Sequence, residues 1–431
     1  METVYEYNDA NWVTKITLRQ TATPANVLQS FQYGYDNVGN RVWVKDKTGS
    51  GDVYQYDETY QLTGVKYWVS NPEDGYDLAV ATTREVTYGY DPLGNRLRVV
   101  DEALMTDYYV NNLNQYTQVG ANTDFTYNTN GNLTGDGTWT FGYDREGRLI
   151  SASKTGTTVT YQYDALGRRI AKDVNGTVTQ FVSSGQDLIE ERDASNAVTA
   201  KYIYAGGIDN PVKVIKGSNT YYFKQDALGS VTALTDGTGT IVETYTYDAF
   251  GKPKIKDGSG TTLTTPTQPF LFTRREFDAE TGLYHYRSRA YSPELGRFIQ
   301  PDSIGFGGRD ANFYRYAWNS PMMNVNPSGT CCSRQQSEVD RLDGLLSGLA
   351  FAITLAEQDV QSRIRSYEQA ATTLTLTTMG WISLCIFGTP IACLAGFAAV
   401  ELAIIWQARA LDALHTSEQR LISAKGHHST A

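Results

Sequence analysis

The side chains that could do chemistry in this chain are carboxylates, four cysteines and four histidines. All four cysteines lie beyond residue 330, at Cys331, Cys332, Cys385 and Cys393. Two are adjacent and two lie in an apolar run, which does not match a zinc site and favours free thiols or buried small residues. His415, His427 and His428 have no Cys or Asp at a useful spacing. The sequence therefore predicts no metal and no cofactor.

Most of the carboxylates recur in one short phrase, aromatic-x-Tyr-Asp-x-x-Gly followed by Asn or Arg and then a basic residue. Copies of the phrase begin at Tyr33, Tyr54, Tyr88, Phe125, Phe141, Tyr161 and Tyr245. Alternation along a strand puts both rings on one face. The Asp can bond its own backbone in a turn, Gly permits a positive φ, and the alternating segment that follows returns as a second strand. Each copy is therefore predicted to be a hairpin whose Asp forms the turn.

The hairpins need each other, because a single hairpin is only marginally stable in water. Stacking them into a continuous sheet buries the aromatic row and removes most free edges. Residues 179–216 depart from the phrase but still alternate, so we interpret them as degenerate hairpins of the same sheet. The high content of Tyr (30) and Gly (39), with only 12 Pro, also favours short strands joined by tight turns.

Charge and the N-terminal residues bear on partners and location. The formal net charge of -10 and the isoelectric point near 5.0 argue against binding of nucleic acid by the whole surface, so no nucleic-acid partner is predicted. The first residues, METVYEYNDANWV, have no basic region followed by an apolar core. They predict synthesis in the cytoplasm without a Sec signal.

The repeated phrase resembles the YD repeat of the bacterial Rhs proteins, the C components of Tc toxins and the teneurins. This resemblance implies a mainly β fold, in which residues 1–271 form a β-sheet that spirals into a hollow shell around a C-terminal passenger. The stretch KQDALGSVTALTDGTGTIVETYTYDAFGKP, from Lys224, resembles the segment that precedes the core of that family.

Residues 272–329 form the junction between the repeats and an unrelated tail. Turns are predicted at 278–282 and 292–296, where Gly closes each turn. The block GLYHYRSRAYSPELGRFIQPDSIG resembles the Rhs-associated core, GLYYxRxRYYxPxxGRFxxxDPxG, with Ser303 in place of its Pro. Residues 312–321 continue the family pattern, and we interpret their rings as packing against the sheet. The resemblance predicts that 272–329 is a plug and an autoproteolysis region.

In that family the core ends in a second Asp-Pro-x-Gly, and the chain cuts itself just after it with two Asp that act as an aspartic-protease-like pair. One carboxylate stays ionised and activates water, while the other donates a proton. The first maps onto Asp302 and the second onto Asn326, whose amide cannot act as a general base. We therefore expect a disabled cleavage site at Gly329, Thr330 and Cys331, as a natural variant or a deliberate Asp-to-Asn change.

Three further residues are weaker candidates for this site. Asp278 and Asp310 could each supply a substitute carboxylate, although each is also explained as a turn former. Arg297 could position a carboxylate, or it could be an exposed strand residue. The resemblance thus implies self-cleavage, but one of the two carboxylates that self-cleavage needs is missing from this sequence. The sequence therefore does not decide whether the chain is an enzyme.

Residues 330–431 are predicted to form a variable α-helical domain. Apolar residues recur at helical spacing, at Val339, Leu342, Leu345, Leu346 and Leu349. About thirty residues, 369–400, then carry no charge and are broken by Gly388-Thr-Pro390, which predicts an apolar helical hairpin within 371–406. The hairpin is either membrane-inserting or simply the core of a compact domain, and several Thr make its first half the less apolar one.

The resemblance places a variable toxin at this position, although the tail shows no enzyme motif. It implies an Rhs-type polymorphic toxin of a bacterium, exported by a specialised secretion system into target cells. Its expected partners are an immunity protein, a secretion-system component and the target-cell membrane. The alternatives are a non-toxic surface or scaffold protein with a membrane-anchoring tail, and an enzymatic toxin with an unfamiliar site.

Overall fold

A computed structural model describes residues 2–21, 23–77, 84–206 and 209–330, and all strand pairs in these ranges are antiparallel. The chain divides into two compact units, Met1–Gly348 and Leu349–Ala431, and the described residues belong to the first. The described residues are mainly β and contain no α-helix. The helical segments of the described residues are short 3-10 turns, and none is long or apolar enough to cross a bilayer. The predicted helical tail and its apolar hairpin 371–406 lie outside the described residues.

The strands form three sheets, each in chain order. The first sheet has ten strands: β1 (Glu2–Tyr7), β2 (Val13–Arg19), β3 (Val27–Tyr35), β4 (Arg41–Asp46), β5 (Gly51–Tyr56), β6 (Leu62–Val69), β7 (Arg84–Tyr90), β8 (Arg96–Asp101), β9 (Leu104–Val110) and β10 (Tyr116–Val119). The second has fifteen: β11 (Phe125–Tyr127), β12 (Leu133–Asp136), β13 (Thr140–Tyr143), β14 (Leu149–Lys154), β15 (Thr157–Tyr163), β16 (Arg169–Val174), β17 (Thr177–Ser184), β18 (Asp187–Asp193), β19 (Val198–Tyr204), β20 (Pro211–Lys216), β21 (Asn219–Gln225), β22 (Val231–Thr235), β23 (Ile241–Tyr247), β24 (Pro253–Asp257) and β25 (Thr262–Leu263).

The third sheet belongs to the junction and has four strands: β26 (Glu276–Asp278), β27 (Leu283–Tyr286), β28 (Arg289–Ser292) and β29 (Arg297–Phe298). Short 3-10 turns lie at Pro72–Asp74, Phe272–Arg274, Gly305–Gly308 and Ala317–Asn319. The degenerate segment 179–216 lies within the second sheet, as predicted.

The repeats do not form one continuous sheet, which corrects the prediction. The break falls between β10 and β11. There the backbone N–H of Val119 donates to the Asn122 carbonyl at 2.9 Å, so β10 ends in a local turn. The hydrogen bonds that would extend the ladder into β11 are used within that turn.

The predicted hairpin turn is confirmed in detail. One carboxylate oxygen of Asp36 accepts the N–H groups of Val38 and Asn40 at 3.0 and 2.7 Å, and Gly39 adopts a φ of +84°. The same double acceptance recurs at Asp91, Asp144, Asp164, Asp193, Asp226, Asp236, Asp248 and Asp257. These carboxylates are therefore occupied in holding the turns.

The Tyr that ends each of seven strands has a second function, which the sequence did not reveal. Its hydroxyl donates to a backbone carbonyl near the start of the preceding strand. The pairs are Tyr35 to Val13, Tyr56 to Arg41, Tyr90 to Leu62, Tyr143 to Leu133, Tyr163 to Leu149, Tyr204 to Leu188 and Tyr247 to Val231. Each such bond ties a hairpin to its predecessor and contributes about 1 kcal/mol.

The junction segment, 272–329, supplies much of the core that the sheets share. Six of its aromatic side chains are almost fully buried: Phe272, Tyr284, Tyr286, Tyr291, Phe298 and Tyr316. They pack with apolar residues of β17–β24. Leu283, Ala290 and Ile299 pack with β12–β15, and Met322 packs with β5–β7 of the first sheet. The junction segment therefore contacts both large sheets.

A buried ion cluster also joins the junction to the second sheet. Asp278 is 4% exposed, and its carboxylate contacts Arg169 at 2.6 Å and Lys172 at 3.1 Å. Burial alone would raise the pKa of Asp278, but the two cations outweigh burial and hold that pKa below its ordinary value. The backbone of Asp278 begins the predicted turn, while its side chain does not serve that turn.

This cluster predicts a loss of stability in acid. Because the folded-state pKa of Asp278 lies below the unfolded value of about 3.9, its contribution is fully present above about pH 4 and is lost as the pH falls below that. Asp278→Asn leaves two buried cations underpaired and should lower the free energy of unfolding by about 3–5 kcal/mol at pH 7. Urea unfolding at pH 7 and pH 3 measures both effects. An unchanged midpoint at pH 7, with the turn variant Asp257→Asn as control, would contradict the assignment.

Candidate functional site

Asp302 lies in the loop after β29 and is largely buried. Its backbone N–H donates to the Phe313 carbonyl at 2.9 Å, and one carboxylate oxygen accepts the Ile304 N–H at 3.1 Å. The other oxygen lies 2.9 Å from Nη2 of Arg289. Burial raises the pKa of the Asp302 carboxyl above its ordinary value, and the Arg289 charge offsets only part of that rise.

Arg289, on β28, connects Asp302 to the end of the junction segment. Its side chain is 3% exposed and lies over the Phe298 ring at 3.7 Å. Nη1 donates to the Phe313 carbonyl at 2.8 Å, and Nε donates to the carbonyl oxygen of Gly329. One guanidinium therefore contacts both the Asp302 carboxylate and a carbonyl of the predicted cleavage site. Such a donor is placed to stabilise negative charge on that oxygen.

Asn326 lies at the same place and is 1% exposed. Its carbonyl accepts the Gly329 N–H at 3.2 Å and closes a turn. Asn326, Asp302, Asp310 and Thr330 line one cavity of about 20 Å³. A cavity of about 10–15 Å³ or more can hold a water molecule among polar partners. The positions that the sequence paired thus share a cavity that would hold one water.

The last residues of the junction segment are held by side chains of the turn between β27 and β28 and of the first residue of β28. We call residues 326–330 the exit segment. Arg287 donates to the Pro327 carbonyl at 3.2 Å and Ser288 to the Ser328 carbonyl at 2.9 Å, while Arg289 binds the Gly329 carbonyl. Three consecutive side chains thus bind three consecutive carbonyls of the exit segment.

Gly329 contacts Arg289, and Thr330 lines the same cavity as Asp302. A Cβ on Gly329 would lie 2.1 Å from the Tyr286 carbonyl oxygen, so the turn, with a φ of +73°, requires glycine. A Cβ on Gly308 would lie 3.4 Å from both the Asp302 carboxylate and the Thr330 carbonyl oxygen. Cys331 lies outside the described residues.

The weaker candidates fall into different places. Asp310 lines the same cavity, but one oxygen of its carboxylate accepts the Asn312 N–H at 2.9 Å and the other pairs with Arg315 at 2.7 Å. Asp278 belongs to the ion cluster with Arg169. Neither side chain is simply a turn former.

Arg297 is neither exposed nor in contact with Asp302. It is 5% exposed, lies over the Tyr116 ring at 4.0 Å, and donates to the side-chain oxygens of Asn95 and Asn312. Its charge is accommodated by rings and amides of the first sheet and the junction segment. The sequence missed Arg289 as the arginine of this site, since the alternating pattern of HYRSRAY did not distinguish its three basic residues.

The described part of the chain brings together no three His, Cys, Asp or Glu side chains that would hold a metal ion. The cavity is lined by the carboxylates of Asp302 and Asp310, the guanidinium groups of Arg289 and Arg315, and the amide of Asn326. In this arrangement Asp302 can orient a water or donate a proton, and Arg289 can polarise the Gly329 carbonyl. A second carboxylate at position 326 would complete an acid–base pair.

Comparison with known proteins identifies relatives of the repeats and of the junction segment. The model of the family described as "Teneurin YD-shell" matches residues 54–322. The "tRNA3(Ser)-specific nuclease WapA" of Bacillus spizizenii is 31% identical over 57% of this chain, and the chain covers 11% of that protein. The "Toxin subunit YenC2" of Yersinia entomophaga is 25% identical over 72% of this chain and 38% of that protein.

Solved structures show the same fold. A crystal structure of TcdB2-TccC3 without its hypervariable C-terminal region matches 76% of this chain and 18% of its own, with a TM-score of 0.60 and 21% identity. The Tc holotoxin pore of Photorhabdus luminescens matches 77% of this chain and 18% of its own, with a TM-score of 0.61 and 20% identity. The predicted recognition is thereby confirmed: the chain belongs to the teneurin YD-shell family, the family of the Rhs and YD-repeat proteins.

Proposed function

We propose that the chain is an Rhs-type polymorphic toxin, in which the repeat sheets enclose residues 330–431 as the effector. The observation that carries the proposal is the set of hydrogen bonds that hold the exit segment. The chain leaves the junction segment through residues whose carbonyls are bound by Arg287, Ser288 and Arg289. A container that retains a passenger needs such a fixed exit. Relatives named as toxins support this function.

The effector is proposed to disrupt membranes. The support is the uncharged run at 369–400 with its central turn, which could form two apolar helices. Delivery would use a specialised secretion system that exports the toxin into target cells, and an immunity protein would protect the producer. In this proposal the repeat sheets shield the apolar run until it is released.

Expression of residues 331–431 alone in bacteria tests this function. The isolated tail should stop growth and collapse the membrane potential, measured with a potential-sensitive dye, while the full chain at equal expression should do neither. Ile382→Asp and Leu394→Asp put a charge into each half of the apolar run and should abolish depolarisation.

Two other results would reject membrane disruption. Growth arrest without depolarisation would indicate an enzymatic toxin. A harmless tail that fractionates with membranes would indicate a scaffold protein with an anchor.

Self-cleavage is proposed to be disabled in this chain. Asp302 and Arg289 are in place, while position 326 carries an amide that cannot accept the proton of the attacking water. Purified protein should therefore keep its intact mass. Two fragments that meet between Gly329 and Cys331 would refute the proposal.

A further inference from the structure

One carboxylate outside the junction segment binds two of the arginines that contact the exit segment. Asp209 lies in the loop between β19 and β20 of the second sheet. One of its oxygens pairs with Arg287 at 2.7 Å and the other pairs with Arg275. The side chains of Asp209 and Arg275 are only 13% and 5% exposed. Two arginines of the junction are thus bound to one carboxylate of the repeats.

Both arginines also bind the exit segment. Nη1 of Arg275 and Nη1 of Arg287 donate to the same carbonyl oxygen, that of Pro327, at 3.0 and 3.2 Å. Pro327 directly follows Asn326, so this carbonyl fixes the backbone at the position of the missing second carboxylate. We call Asp209, Arg275 and Arg287 around this carbonyl the Asp209 latch.

The latch depends on the negative charge of Asp209. Two guanidinium groups that share one carbonyl oxygen repel each other, and the partial charge of that oxygen does not balance two cations. The Asp209 carboxylate is the strongest opposing charge at both arginines, ahead of Asp187 and Glu276, and it sets the direction of both planar side chains through one oxygen each. Without it, at least one arginine should turn away from Pro327.

We propose that Asp209 is a positioning residue for the exit segment, through which the repeat sheet controls the geometry of the cleavage site. The predicted effect of Asp209 on self-cleavage rests on the proposed function. The predicted effect of Asp209 on the order of the exit segment is independent of that function. Through the Asp209 latch, a change in the β19–β20 loop can alter the position of residue 326, although Asp209 does not contact the reacting groups.

Hydrogen exchange on the full chain tests the latch without any cutting. Asp209→Asn keeps the side-chain size and tolerates the φ of +53° at this position. Amide exchange in residues 326–330 should become at least about tenfold faster, while exchange in β19 and β27 stays unchanged. Asp193→Asn is the matched control, since Asp193 holds the neighbouring turn of the same sheet. Unchanged exchange in 326–330, or an equal rise throughout the second sheet, would overturn the inference.

The cutting rate gives the second readout. In an Asn326→Asp background, Asp209→Asn should slow self-cleavage by about tenfold or more, because small misplacements are costly to such reactions. Arg287→Gln should have a similar effect, and the double variant should be no slower than the worse single variant. Additive losses would overturn the shared role. If Asn326→Asp does not cut while Asp209→Asn still speeds exchange, the proposed self-cleavage fails and the latch stands.

Discussion

Asn326→Asp is expected to convert the intact chain into a self-cleaving protein. The substitution places a carboxylate in the cavity that Asp302 already lines, where one water fits. The ionised carboxylate of the pair takes a proton from the water, whose oxygen bonds to the carbonyl carbon of the exit segment. The other carboxyl then donates its proton to the leaving amide nitrogen as the C–N bond breaks. Arg289 already binds the Gly329 carbonyl and would stabilise the oxyanion.

Intact mass spectrometry of the purified variant provides the measurement. Two fragments should appear that meet between Gly329 and Cys331, and their masses identify the bond. Asn324→Asp is the matched control, because Asn324 is also buried and lies two residues away. It should leave the chain whole. A single intact mass for Asn326→Asp would show that position 326 does not supply the missing group.

Removing Asp302 from the Asn326→Asp protein has the second large expected effect. Asp302→Asn should slow cutting by about a hundredfold or more, since a single carboxylate cannot both activate water and protonate the leaving nitrogen. Burial already raises the pKa of Asp302, and a second carboxylate nearby should raise one pKa of the pair further. Cutting by Asn326→Asp should therefore peak in weak acid and fall as the shared proton is lost at higher pH.

Time courses by gel electrophoresis across pH 3–8 measure both effects. Asp310→Asn is the informative control, because Asp310 lines the same cavity but is paired with Arg315. It should retain most of the activity. If Asp310→Asn abolishes cutting while Asp302→Asn does not, then Asp310 is the working carboxylate and the assignment of Asp302 is wrong.

The fold could be predicted from the sequence because the residues of each repeat determine its hairpin through local spacing. Asp36 and Gly39 are three residues apart, and that spacing alone fixes the turn that the structure shows. The break between β10 and β11 was not predictable in the same way. Nothing in the spacing around Val119 distinguishes a turn that continues the ladder from one that ends it.

The site could be predicted only at the level of its position. The core pattern located Asp302 and Asn326, and the structure brings both to one cavity. The sequence could not identify which arginine contacts Asp302, because Arg289 and Arg297 are both buried residues of short strands. Only the structure distinguishes them. Asp209 was beyond reach, since its partners lie more than sixty residues away along the chain.

The order of the strands has a consequence for biosynthesis. Each strand in the large sheets pairs with its neighbours in the chain, so almost every ladder contact is made with residues translated just before. Such a sheet can grow strand by strand as it leaves the ribosome, and each tyrosine hydroxyl finds its acceptor carbonyl already in place. The junction segment emerges after the two large sheets, and residues 330–431 follow it. Under the proposed function, synthesis would then build the container before its contents exist.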